Sequence, residues 1–203
     1  PDTGDVIGID LAIPGTTGNG GETAWLLATD TATNYCKVTC LKTKSAAACV
    51  KQTVDYHKLK NGKYPLKIRC DMGGEFKDQA LQDWCDERGI RLDWAPRQEH
   101  NANANAEVGI KIIQECAKAL LVRAGLPPTF WSYAVPHARN LVNLRPSKRT
   151  PLMSRFEAAE ESMPSVSKLR AFGSVCVYYD YDGDKMDPRG RRGLYMGTDD
   201  RYN

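Results

Sequence analysis

The chain has 203 residues, of which 41% are hydrophobic and 26% charged, with a formal charge of +3. That describes a soluble globular protein with room for one good core, too weakly basic to require nucleic acid on charge alone. No apolar run approaches the ~18–20 residues that cross a bilayer, and no signal-peptide pattern opens the chain, so a membrane partner is not expected. The opening Pro1, in place of Met, predicts a piece cut from a longer polypeptide. Seven cysteines, at 36, 40, 49, 70, 85, 116 and 176, are odd in number and lack CxxC pairs. This predicts buried free thiols in a reducing compartment, not a disulfide framework. The three histidines, at 57, 100 and 137, are dispersed, so a structural zinc site is not expected either.

In chain order, Val6 to Leu11 is a short apolar strand that ends near Pro14-Gly15. A Gly/Thr/Asn-rich turn leads to a second strand, Thr23 to Thr29, and the short turn Asp30 to Asn34 to a third, Tyr35 to Leu41. Turns this short predict an antiparallel meander. Lys44 to Leu59 changes to helical spacing, and Asn61-Gly62 is its stop. Leu66 to Cys70 reads as a buried strand, Glu75 to Arg88 as a helix ended by Gly89, and Ile90 to Trp94 as a fifth strand. A meander followed by strand, helix and strand predicts an α/β fold with a five-stranded mixed sheet flanked by helices.

Residues 95–106 read as a loop, and Glu107 to Ala124 as an amphipathic helix with Gly125 at its stop. Pro127-Pro128 opens a further helix carrying Trp131, which belongs to the core, and Pro136, which should kink or break it. Beyond Asn143, Arg145, Lys148, Arg149 and Arg155 continue from Arg139 as a basic run without an acid. This run is read as part solvated and part facing a polyanion. Strand candidates Phe172 to Tyr179 and Gly193 to Met196 suggest a small β-rich C-terminal module. The expected division is 1–145 for the α/β core and 146–203 for the basic linker and that module.

Three acids stand out: Asp10 near the end of the first strand, Asp71 before Gly73-Gly74, and Glu107 at the head of a helix. Each has an ordinary explanation. Asp10 could simply end a strand, Asp71 could make an Asx turn, and Glu107 could serve the helix dipole for ~0.3–1 kcal/mol. Three carboxylates meeting in space, however, can hold divalent metal ions for phosphodiester chemistry. Two such ions ~3.5–4 Å apart activate an attacking oxygen and stabilise a leaving one. Hard Mg²⁺ prefers oxygen ligands and keeps several waters.

The stretches Arg69-Cys70-Asp71-Met72-Gly73-Gly74-Glu75-Phe76, Leu126-Pro127-Pro128-Thr129-Phe130-Trp131 and Leu169-Arg170-Ala171-Phe172-Gly173 occur in that order. Arg192-Gly193-Leu194-Tyr195-Met196-Gly197 follows them, and 35 residues separate Asp71 from Glu107. In these pieces the chain resembles the integrase catalytic core of Ty1/copia-type retrotransposons, within the retroviral integrase and DDE transposase superfamily. The resemblance runs from about Asp5 to Gly197 and includes the superfamily's D,D(35)E spacing. Around the glutamate the family writes PQQNGxAER, whereas this chain reads His100-Asn101-Ala102-Asn103-Ala104-Asn105-Ala106-Glu107-Val108.

The resemblance implies an RNase H-like fold and a metal-dependent polynucleotidyl transferase that inserts retroelement DNA ends into target DNA. Asp10, Asp71 and Glu107 would hold Mg²⁺ or Mn²⁺, two ions per site. Lys111, one turn after Glu107, and Asn103 would contact DNA, with Arg145, Lys148 and Arg149 contributing phosphate contacts. For Lys111 an i,i+4 salt bridge is an equal alternative. Double-stranded DNA, a homo-oligomer and nuclear action complete what the resemblance implies. The competing readings are a catalytically weak or inactive DNA- or partner-binding domain, and a hydrolytic nuclease of the same fold.

Overall fold

The structure, a computed structural model, describes residues 2–43, 64–71, 79–95, 104–167, 169–181, 186 and 188–198. The side chains of Asp71, Ala95 and Ala104 are outside that description. The helix expected over Lys44 to Leu59, the first residues of the one expected from Glu75, and Asn103 also lie outside it.

Strands β1 (Val6–Ala12), β2 (Ala24–Asp30) and β3 (Cys36–Leu41) form the expected antiparallel meander. The β2–β3 turn is closed by the Asp30 carboxylate, which accepts from Thr33 Oγ1 at 2.6 Å and from the Ala32 N–H at 3.2 Å. Asn34 supplies the left-handed residue there, with φ of 60°. Strands β4 (Lys67–Asp71) and β5 (Arg91–Ala95) add on in parallel, giving one mixed sheet of order β3-β2-β1-β4-β5. Helix α1 (Gln79–Asp86) lies between β4 and β5 in the chain, and Gly89 ends its turn with φ of 65°.

Alternation along the strands divides the core in two. Ile7, Ile9, Leu26, Ile68, Cys70 and Ile90 face one side, where Leu81, Trp84 and Cys85 of α1 cover them. Trp25, Leu27 and Cys36 face the other, against Ile113, Ala117 and Leu121 of α2 (Ala104–Ala124) and Trp131, Val135 and Val142 of α3 (Trp131–Asn143). Each fully buried Leu or Ile among them contributes ~1.5–3 kcal/mol relative to exposure.

Helix α2 starts at Ala104, three residues before the expected Glu107. The Asn/Ala run that looked loop-like continues the helix because alanine is the strongest helix former and Ala106 is fully buried. Gly125, at φ of 65°, ends it as expected. Pro128–Phe130 is a 3-10 turn, and α3 runs through Pro136 without breaking. The proline removes the N–H that would bond the carbonyl of Ser132. The Cys40 thiol of β3 donates to that carbonyl instead, at 3.5 Å.

Beyond α3, the helix α4 (Arg155–Glu160) opens on a capping box between Ser154 and Glu157. Strands β6 (Val175–Tyr179) and β7 (Gly190–Leu194) form a separate two-stranded sheet with an exposed surface. Phe172 and Met196, just outside that sheet, pack on the α3 side of the core. No helix among the described residues is long and apolar enough to cross a membrane. No disulfide joins the described cysteines. Burial pushes the Cys40 thiol up to about 12 and also raises Cys36.

Candidate active site

Two of the three acids are brought together by strand register. β1 and β4 pair in parallel as Val6↔Lys67, Ile7↔Ile68 and Gly8↔Arg69, a constant offset of 61. Asp10 and Asp71 differ by the same 61, so they occupy the same level of adjacent strands. Asp10 has the parity of Gly8 and Ala12, opposite to the buried Ile7 and Ile9, and so lies on the α2 side of the sheet. Asp71 has the parity of Lys67 and Arg69, opposite to the buried Ile68 and Cys70. The Asp10 side chain is half-buried, and its Oδ1 accepts the N–H of Leu11 at 2.8 Å.

Helix α2 supplies the third acid, and a glycine sets its approach. A Cβ on Gly109 would lie 2.7 Å from Leu27 Cδ2 and 3.3 Å from Thr29 Oγ1. Leu27 is the cross-strand partner of Asp10, and Thr29 of Gly8. The first turns of α2 therefore pass close over the strand pair that carries Asp10, two residues after Glu107. By helix propensity alone a glycine at this position costs ~1 kcal/mol relative to alanine. The structure gives it a purpose: no side chain fits between helix and sheet there.

Glu107 and Lys111 are both exposed on α2, and no ion pair joins them among the described residues. The salt-bridge alternative for Lys111 thus finds no partner in Glu107. Lys118 pairs with Glu115 at 3.1 Å on the exposed surface.

The basic run does not stay together. Arg145, Lys148 and Arg149 are exposed, in a loop that Ser147 ties to the β2–β3 turn through a 3.3 Å bond to the Thr33 carbonyl. That turn sits beside Val6, at the start of β1, since the Thr31 N–H bonds the Val6 carbonyl. Four residues of strand, roughly 13 Å, separate this end from the level of Asp10. The structure therefore does not bring these three residues to the carboxylates. Arg139 is buried, at 6% exposure, and Arg155 is partly buried, with desolvation pulling its pKa down. Neither belongs to the exposed part of the run, and both act electrostatically on buried Cys36.

A cluster that the sequence reading passed over lies on β4 and β5. Arg69 donates through Nε and Nη2 to one oxygen of Asp93, at 3.2 and 3.1 Å, and Lys67 Nζ lies 3.6 Å from the same oxygen. Leu66 to Cys70, read as a buried strand, is buried on one face only. The alternation of Lys67, Arg69 and Asp71 against Ile68 and Cys70 was its signal.

The candidate donors for a metal are carboxylate oxygens alone, a set that fits a hard divalent cation better than a soft one. Among the described residues no three His, Cys, Asp or Glu side chains form a metal-sized group, and the Asp71 side chain lies outside that description.

This five-stranded mixed sheet with flanking helices is the RNase H-like fold of integrase catalytic cores. The HTLV-2 integrase catalytic core domain, solved in complex with magnesium, superimposes with a TM-score of 0.61 at 16% identity, covering 78% of this chain and 97% of that one. A chain of the simian T-cell lymphotropic virus intasome, solved with the PP2A regulatory subunit B56 gamma, gives a TM-score of 0.64 at 16% identity, over 95% and 68%. At such identities the likeness concerns the fold alone.

Sequence comparison is more particular. The Retrovirus-related Pol polyprotein from transposon RE1 of Arabidopsis thaliana is 30% identical over 179 residues, 85% of this chain. That from transposon TNT 1-94 of Nicotiana tabacum is 32% identical over 161 residues, 76% of the chain. The chain spans 12% of the length of each polyprotein. No protein-family model matches it. The chain is thus homologous to a segment of the retrovirus-related Pol polyproteins of plant copia-type transposons, and it has the integrase catalytic-core fold.

Proposed function

We propose that the chain is a metal-dependent polynucleotidyl transferase that joins retroelement DNA ends to target DNA. The observation that carries the reading is the shared register level of Asp10 and Asp71 on β1 and β4, with α2 held close over β2, beside the strand of Asp10, by Gly109. Asp10, Asp71 and Glu107 would be the metal ligands, two ions per site. Bound there, the ions would activate the attacking oxygen and neutralise charge on the leaving one. The Leu11 N–H holds Asp10 Oδ1 in place and so orients the carboxylate. The exposed Lys111, one turn beyond Glu107, offers a cation to a DNA phosphate, and Asn103 would contact the DNA from the preceding segment. Arg145, Lys148 and Arg149 would hold phosphates further along the duplex. We place the activity in the nucleus, in a homo-oligomer.

The test is a joining assay with a recessed donor DNA end, a target plasmid and Mg²⁺ or Mn²⁺, run on the chain completed with its flanking regions. Joined product that disappears in Asp71→Asn is the expected result. Binding without joining would leave a DNA-binding domain of the same fold, and cleavage without joining a hydrolytic nuclease.

A further inference from the structure

We infer that Arg69 and Lys67, braced by Asp93, form a strip on β4 that positions a phosphate of duplex DNA beside the carboxylate site. The inference rests on the proposed DNA chemistry and adds residues to it.

Three observations support the assignment. The strip shares a sheet face with Asp10, because Ile68 and Cys70 take the opposite face with Ile7 and Ile9. It is also adjacent. Arg69 pairs in register with Gly8, two residues before Asp10 on the neighbouring strand, which places the two levels roughly 7 Å apart. Finally, the charges do not cancel. One Asp93 carboxylate serves both Arg69 and Lys67, and Arg91, the register partner of Lys67, is exposed on the same parity. A plain cross-strand ion pair needs one cation per anion; here two cations share one acid, with a third cation beside them.

The form of the pair matters as well. Arg69 uses Nε and Nη2 on a single oxygen, so Nη1 takes no part in it. Asp93 thus fixes the guanidinium plane without consuming the whole fork, and the Arg69 side chain remains 34% exposed. A planar, oriented guanidinium with donors to spare suits a phosphate. Such a group is needed here because Asp10 and Asp71 would repel an incoming polyanion. A positive strip one strand away offsets that repulsion and sets where the backbone lies.

The probe is a fluorescein-labelled DNA duplex, titrated at several salt concentrations with the wild-type chain, Arg69→Ala, Arg69→Lys, Lys67→Ala and the surface control Lys118→Ala. Removing one phosphate contact reduces the salt slope by about one and weakens binding roughly five- to tenfold near 0.1 M salt. Arg69→Ala is expected to do this, Arg69→Lys to keep the slope, and Lys118→Ala to match wild type. Should Arg69→Ala fold poorly, as its thermal melt would show, Lys67→Ala carries the same expectation. A wild-type slope in Arg69→Ala, or in Lys67→Ala where the first does not fold, overturns the inference, as does wild-type chain that binds no duplex. The joining assay is read separately. Binding with the expected slope change but no joining defeats only the proposed transferase. Joining with unchanged slopes defeats only the strip.

Discussion

Replacing Gly109 by alanine puts two opposing effects on one methyl group. In an ordinary helix interior the change gains ~1 kcal/mol, because alanine restricts the unfolded chain and favours the helix. Here the new Cβ would lie 2.7 Å from Leu27 Cδ2, inside van der Waals contact, and 3.3 Å from Thr29 Oγ1. Leu27 is fully buried, packed between β2 and α2, so its methyl has little room to move aside. Overpacking of this kind costs typically ~1–3 kcal/mol. The balance is a net loss of about 1 kcal/mol, which lowers Tm by roughly 2–4 °C for a domain of this size. Thermal unfolding followed by circular dichroism measures it. Leu27→Val, which shortens the side chain by one methylene and so removes the Cδ2 position, should make Gly109→Ala less costly in the double variant than in wild type. A Gly109→Ala chain more stable than wild type would refute the close approach of α2 to the sheet.

Asn143→Ala should be more costly than most surface changes. The Asn143 side chain accepts from the Cys36 N–H at 3.0 Å and donates to the Cys36 carbonyl at 2.8 Å. Losing both leaves two buried backbone groups unbonded, an expected cost of about 3 kcal/mol by urea denaturation. His137 is buried between Phe172 and Tyr195, and burial lowers its pKa. The unfolded chain therefore takes up the proton first. The stability contributed by neutral His137 is complete above about pH 6.5 and lost as pH falls below it. Denaturation midpoints between about pH 7 and 5 should fall less steeply in His137→Gln than in wild type; parallel slopes would contradict this. Ser154→Ala removes the cap of α4 and should cost about 1 kcal/mol in the same assay.

Much of this fold is legible because its signals are local. The short Asp30–Asn34 turn between two strand-like runs declares an antiparallel meander without any long-range information. Gly89 and Gly125 mark their chain reversals for an equally local reason, since each takes a left-handed φ. What the sequence misread depends on partners distant in the chain. Pro136 reads as a kink or a break, and the helix is unbroken there because Cys40, 96 positions earlier, satisfies the carbonyl it strands. Arg139 and Arg145 look alike in a basic run, yet one is buried in α3 and the other exposed beyond it. Composition cannot report such a difference. The candidate site divides the same way. The Asp71 to Glu107 interval is countable, whereas the 61-residue offset that levels Asp10 with Asp71 requires knowing that β1 and β4 are parallel neighbours. The Arg69–Asp93 pair was hidden for that reason too, since it needs the β4–β5 register.

The Asn143 bridge has a further consequence, for association between molecules. β3 is the last strand on its side of the sheet, and the N–H and C=O of Cys36 point outward from β2. An amide side chain that fills one outward donor and one outward acceptor together imitates a further strand. It occupies the bonds through which an extended segment of another chain would add on. Asn143 thus guards a sheet edge. Its loss would open that edge to intermolecular strand addition, which light scattering of the Asn143→Ala chain near its Tm would register as growth of large particles before global unfolding.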